Sequence, residues 1–143
     1  LYPEADVPVV QVSLPAQAGP AELYAMGQAL APLREQGILV VASGSMTHNL
    51  YELRREDGPT EAYVTAFCGW VQETLMRGDL DTMLDYRAQA PQAVRAHPTD
   101  EHFLTIYFAL GAAHWGQPGG GTPAYITRDV QFRSLSMDAF GLH

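Results

Sequence analysis

Two nearly continuous apolar runs bracket a helical pattern near the start of the chain, and that order restricts the fold more than any other feature. Val7-Pro8-Val9-Val10-Gln11-Val12-Ser13-Leu14 has the length and β-branched content of a strand. Its lack of clean alternation predicts burial on both faces, and Pro8 is tolerable near a strand start. Gly19-Pro20 then supplies a cap and first-turn pair, Leu23, Met26, Leu30 and Leu33 follow at helical spacing, and Gly37 stops the helix. Pro32 is expected to kink the last turns. The second strand is Ile38-Leu39-Val40-Val41-Ala42. Strand, helix and strand in this order call for a right-handed crossover between parallel strands. The expected class is α/β, with a central, mostly parallel sheet flanked by helices.

Further along, Thr60 is a candidate cap for a helix whose buried face is Val64, Phe67, Cys68, Val71 and Leu75 and which ends at Gly78. Residues 79–86 and 91–96 read as two shorter helices. Thr99 caps another, with Phe103, Ile106, Tyr107 and Leu110 as its apolar stripe. Residues 116–123, rich in glycine and proline, form a loop that lacks the lysine and spacing of a phosphate-binding loop. Residues 124–127 and 130–136 are the last expected strands.

The 143 residues, 47% of them hydrophobic, suit a single soluble domain, and no apolar run is long enough to span a membrane. The chain starts at Leu1 with no visible secretory signal, and it reads as cut rather than complete. A formal net charge of -8 argues against nucleic acid or an anionic membrane surface as partner. The single cysteine, Cys68, rules out an intrachain disulfide, suits a cytoplasmic setting and reads as a small buried apolar residue. Charged residues are only 17% of the chain, against roughly 25% in a typical domain. Part of the surface is therefore expected to be covered, by an oligomer partner or by another piece of the same protein.

Five histidines are present, and they are unequal. His48 follows the second strand through Ser43-Gly44-Ser45-Met46-Thr47, the position beyond a strand's carboxyl end where open α/β sheets bind ligands. His102 is the third residue after Thr99, where the positive end of the helix dipole disfavours imidazolium and favours the neutral form that binds metals. Glu101 is offset from it by about 100° around the helix and reads as a solvated first-turn acid. His48 and Glu52 share a face only if their segment is helical. His97, before Pro98, reads as loop surface, and His114 as an ordinary helix-end residue. There is no Gly-x-Ser-x-Gly elbow, Cys-x-x-Cys pair or His-Glu-x-x-His signature. Two histidines are too few for a secure metal site, since open catalytic sites normally have three protein ligands.

Residues 39–50, Leu-Val-Val-Ala-Ser-Gly-Ser-Met-Thr-His-Asn-Leu, and residues 98–104, Pro-Thr-Asp-Glu-His-Phe-Leu, together resemble the 4,5-DOPA extradiol dioxygenase family of class III ring-opening dioxygenases. The stretches Tyr2-Pro3-Glu4-Ala5-Asp6-Val7-Pro8-Val9-Val10-Gln11 and Ser134-Leu135-Ser136-Met137-Asp138 extend the resemblance over essentially the whole chain. It covers only the carboxyl-terminal half of the family's domain. Family members carry two further histidines upstream, in a His-Gly-Ser-Pro turn and a Ser-Ala-His-Trp segment, and Ala113-His114-Trp115 is not the counterpart of the latter.

The resemblance implies that residues 1–143 are half of one catalytic domain and that the amino-terminal half is its partner. Activity then belongs to the parent protein rather than to this half alone. It implies His102 as a metal ligand, and His48 as an acid/base that can also contact the metal. The implied cofactor is iron(II), with zinc as a resting substitute, and the implied substrates are O2 and a catechol such as DOPA, opened beside its diol. His48 would take a proton from the catechol and later return one, a task suited to a group titrating near neutrality. Two other classes stay open: a non-catalytic binding or scaffold member of the same fold, and a zinc-dependent hydrolase.

Overall fold

Two helices far apart in sequence lie against each other with almost no side chain between them. The computed structural model describes residues 3–143, so Leu1 and Tyr2, where the family-like stretch begins, lie outside the described residues. Helix α1, Pro20–Leu30, starts as expected: Pro20 occupies its first turn, and the Glu22 carboxylate accepts the Gly19 N–H at 2.9 Å. Pro32 does not kink it but ends it, and the chain continues as a 3-10 turn, Ala31–Gln36, closed by Gly37 at φ 78°. Its partner is α6, Glu101–Ala112. A Cβ on Gly27 would sit 2.8 Å from Ala112 N, and one on Gly111 would sit 2.8 Å from the Tyr24 carbonyl carbon. Only glycine permits so close an approach.

Between these elements in sequence run α2 (Ala62–Arg77, ended by Gly78 at φ 67°), α3 (Leu80–Leu84), α4 (Tyr86–Gln89) and α5 (Ala93–Ala96). The helical face expected of α2 is buried at Val64, Phe67, Val71 and Leu75, joined by Tyr63 and Thr74, while Cys68 packs at the edge of the core. With Leu23, Met83, Tyr86, Phe103, Tyr107, Leu110 and Trp115 it forms one apolar core, where each fully buried large side chain is worth about 1.5–3 kcal/mol. Three buried polar tips find partners, Trp115 Nε1 donating to Leu75 O at 3.1 Å, Tyr107 Oη to Met83 O at 2.7 Å and Tyr24 Oη to Trp115 O at 2.6 Å, while the buried Tyr63 Oη has none among the described residues.

The expected central, mostly parallel sheet is not found among the described residues. The sheets present are two antiparallel pairs, β1 (Pro123–Thr127) with β4 (Ala139–Leu142) and β2 (Val130–Gln131) with β3 (Leu135–Ser136). The single strand expected over 130–136 folds back on itself. Phe132 (φ 50°) and Arg133 (φ 63°) both take left-handed backbone, and Ser134 N–H closes the turn on Gln131 O at 3.1 Å.

The two apolar runs read as parallel strands have no strand partner among the described residues. Apart from Ile38 N–H to Leu33 O, the backbones of residues 7–14 and 38–42 make no hydrogen bond to any described residue. Many of their side chains face solvent: Val9 is 91% exposed, Val10 84%, and Leu39 and Val41 60% each, whereas Leu14 packs against the core and Val40 and Ala42 are half-buried. No helix among the described residues is long and apolar enough to cross a membrane.

Candidate active site

Where the second run ends, the chain turns tightly against the first turn of α6. A Cβ on Gly44 would lie 2.5 Å from Thr105 Oγ1 and would overlap the His102 carbonyl oxygen, so only glycine lets the chain pass here. Ser45 N–H then donates to His102 O at 3.0 Å, Met46 N–H to Ser136 O at 3.1 Å and His48 N–H to Ala96 O at 2.9 Å. Thr47 Oγ1 donates to Ser134 O and accepts from Ser136 N–H, both at 2.8 Å. Asn49 Nδ2 donates to Arg95 O at 2.7 Å, and its Oδ1 accepts from Tyr51 N–H. Five consecutive residues, Ser45 to Asn49, are thus held by α6, by the segment around α5 and by the β2–β3 hairpin.

That loop delivers His48 onto His102. The two rings stack with centroids 3.7 Å apart and planes within 16°, although 53 residues lie between them in sequence. Both side chains are half-buried. Burial, then the neighbouring His102 ring, lower the His48 pKa from its ordinary value, so the imidazole is biased toward its neutral, proton-accepting form.

Glu101 departs from the expectation of a solvated acid turned away from His102. Its Oε1 accepts from His102 Nδ1 at 3.1 Å and from Thr99 Oγ1 at 3.1 Å. Glutamate is long enough to reach back over the first turn, so a 100° offset between Cβ atoms does not separate the tips. Its own backbone amide foremost, then Thr99 and His102, lower its pKa. With Nδ1 directed at the carboxylate, Nε2 is the ring nitrogen left without a partner, an arrangement that metal-binding histidines use.

His97 is also corrected. It was expected on a loop surface, yet it is fully buried between Phe67 and Phe103, with ring centroids 5.4 and 5.0 Å away. Nε2–H donates to Met46 O at 2.8 Å, while Nδ1 has no partner. Burial pushes its pKa down to about 4. Sequence reasoning missed this staple beneath the His48 loop because the preceding-proline rule restricts backbone and says nothing about packing.

The other candidates stay apart. Glu52 pairs with Arg95 at 2.6 Å and accepts from Asn49. His114 is exposed beyond α6 at φ 50°. Burial pushes the Cys68 thiol up to about 11, which makes it a poor nucleophile. Among the described residues no three His, Cys, Asp or Glu side chains are gathered to hold a metal ion. Stacked rings direct their in-plane lone pairs side by side rather than at one point. The described residues therefore present two adjacent imidazoles, His102 and His48, and fewer donors than a metal site needs.

Residues 1–132 match the family described as the catalytic LigB subunit of aromatic ring-opening dioxygenase. The chain belongs to this LigB family. It is 37% identical over 113 residues to the 4,5-DOPA dioxygenase extradiol of Beta vulgaris, covering 79% of this chain and 42% of that protein. It is 33% identical over 145 residues to the protein of that name from Escherichia coli K12, covering 96% and 50%. The crystal structure of an uncharacterized Escherichia coli K12 protein superposes with a TM-score of 0.82 at 31% identity, covering 97% of this chain and 57% of that one. The LigB-type fold is thus shared, and the chain spans about half the length of the curated relatives it matches.

Proposed function

We propose that residues 1–143 are the carboxyl-terminal half of a metal-dependent extradiol dioxygenase domain, which uses O2 to open the ring of a catechol such as DOPA. The observation that carries this reading is the His48–His102 stack, held at the end of a strand-like run by a loop whose every bond fixes its position. LigB family membership and relatives named as DOPA extradiol dioxygenases support the reaction class. A cytoplasmic setting suits a chain whose lone cysteine forms no intrachain disulfide.

His102 is the metal ligand, through Nε2, and Glu101 fixes its tautomer from the other side of the ring. The remaining ligands come from the other half of the domain, since the donor set in this chain is short. Iron(II) bound there supplies Lewis acidity toward the catechol oxygens and electrons toward O2, and zinc suits the same imidazole without that redox chemistry. His48, held neutral, accepts the proton of a catechol hydroxyl through a ring nitrogen and returns it as the ring opens. Its backbone tether to Ala96 fixes where the proton is taken.

Oxygen uptake by the natural gene product with iron(II), ascorbate and a catechol tests the reading. His102→Ala is expected to abolish metal retention and ring opening, and His48→Ala to lose turnover while retaining some metal. Normal oxygen uptake by His102→Ala refutes the assignment. Zinc-dependent hydrolysis without oxygen consumption would instead identify a hydrolase.

A further inference from the structure

The end of α5 grips the His48 loop at three successive residues. Arg95 O accepts from Asn49 Nδ2 at 2.7 Å, Ala96 O accepts from His48 N–H at 2.9 Å, and His97 Nε2–H donates to Met46 O at 2.8 Å. The first two bonds use main-chain carbonyls that any sequence would supply. The third depends on the side chain at 97. That ring is fully buried and packs, with centroids 5.0 Å apart, against Phe103, the residue that follows His102 in α6. One imidazole therefore bears on the residue two before His48 and on the residue after His102. It is itself fixed at both ends of its backbone: His97 N–H donates to Ala93 O at 2.9 Å, and Arg87 Nη1 donates to His97 O at 2.6 Å.

A residue that merely fills the slot between Phe67 and Phe103 needs none of this chemistry. Because Met46 O is an acceptor, Nε2 carries the hydrogen, and Nδ1 keeps a buried lone pair with no partner among the described residues. A buried polar atom left unpaired is unfavourable, and phenylalanine or leucine would occupy the slot without one. What the imidazole adds is a single donor held in a fixed direction. We propose that His97 is a positioning residue, which sets where His48 stands against His102 by fixing Met46 O relative to the first turn of α6. Its bearing on turnover rests on the reading of the pair as part of a dioxygenase site, whereas its bearing on the stack rests on the bonds alone.

Three variants of the natural gene product test this. His97→Gln loses the ring but keeps a donor near the place of Nε2, whereas His97→Phe and His97→Leu fill the slot and lose the donor. With no paramagnetic metal bound, the nuclear Overhauser cross-peak between the His48 and His102 ring protons reports the stack. It is expected at wild-type strength in His97→Gln and several-fold weaker in the two apolar variants. Oxygen uptake with iron(II) and a catechol should show kcat lowered by about a hundred-fold in His97→Phe and His97→Leu, the loss that a misplacement of about 1 Å brings. Bound metal should be unchanged in both, since His102 stays on α6, and His97→Gln should largely restore kcat. An unchanged cross-peak or wild-type kcat in a folded apolar variant overturns the proposal, and so does a weakened cross-peak in His97→Gln, which decides the matter even where the apolar variants fail to fold. The two readings fail separately: cross-peaks that move as expected in a protein whose wild type consumes no oxygen with a catechol refute the activity and leave the positioning intact.

Discussion

Gly44→Ala is the sharpest test of how the site is assembled. The added methyl would lie 2.5 Å from Thr105 Oγ1 and would overlap the His102 carbonyl oxygen, where ordinary carbon–oxygen contacts begin at about 3.3 Å. The oxygen it meets is backbone in the first turn of α6, so it cannot swing aside as a side-chain tip would. The Gly44 segment and the helix must separate by about 1 Å, which lengthens the 3.0 Å bond from Ser45 N–H to His102 O beyond use. Overpacking strain and the lost bond together cost about 2–4 kcal/mol. With a urea dependence of about 2 kcal/mol/M, the unfolding midpoint falls by about 1–2 M. Gly69→Ala is the matched control, because nothing lies within 4 Å of the added carbon on that α2 glycine, and it should stabilise by roughly 0.5–1 kcal/mol. In proton NMR, Gly44→Ala should also remove the mutual ring-current shifts of the His48 and His102 ring protons. Equal midpoints for the two variants, or an unchanged histidine spectrum, would refute the claim that this close approach holds the stack together.

Three further outcomes are expected. Burial depresses the His97 pKa to about 4 from an unfolded value near 6.5, so its contribution to stability is complete above about pH 6.5 and is lost as pH falls toward 4, by about 3 kcal/mol. Urea titrations at pH 7 and pH 4.5 should show a smaller acid loss for His97→Gln than for the wild type, and an equal loss refutes the assignment. Asn49→Ala should lower stability by about 1–3 kcal/mol, because it removes the buried amide that donates to Arg95 O and accepts from Tyr51 N–H. Glu52→Gln, at a partly exposed ion pair, should shift the same unfolding midpoint less, and the reverse order would sink the account. Residues 1–143 alone should bind zinc or iron(II) only weakly in calorimetry, since the described side chains gather too few ligands, and tight stoichiometric binding would contradict this.

What could be read in the sequence was what local periodicity encodes. The buried face of α2, the stop at Gly78, the Gly19-Pro20 start and the apolar stripe of α6 all follow from spacing and capping chemistry, and all are present. Thr60 and Thr99 were misjudged as caps: α2 follows Glu61 and α6 follows Asp100, neither bonded through its side chain, while the Thr99 hydroxyl serves Glu101. The β2–β3 turn was hidden because Phe132 and Arg133 carry left-handed backbone that favours glycine or asparagine, so composition gave no turn signal. The parallel sheet failed for another reason. Apolar runs record the burial a segment is built for, while pairing depends on a partner that neither run finds among the described residues. For the histidines, position alone raised His48 and His102 separately; their juxtaposition is a tertiary fact set by Gly44, and the burial of His97 is likewise set by the aromatic rings of α2 and α6.

The seam between α1 and α6 has a consequence for how this sequence can drift. At Gly27 and Gly111 the obstacle to a larger residue is the opposing main chain, whose atoms are the same whatever amino acid is encoded there. A substitution on one helix therefore has no compensating substitution on the other. Among homologues that keep this helix pair, the two positions are expected to be fixed and to carry no covariation signal, so a contact map inferred from co-evolving pairs would leave blank one of the closest contacts in the molecule.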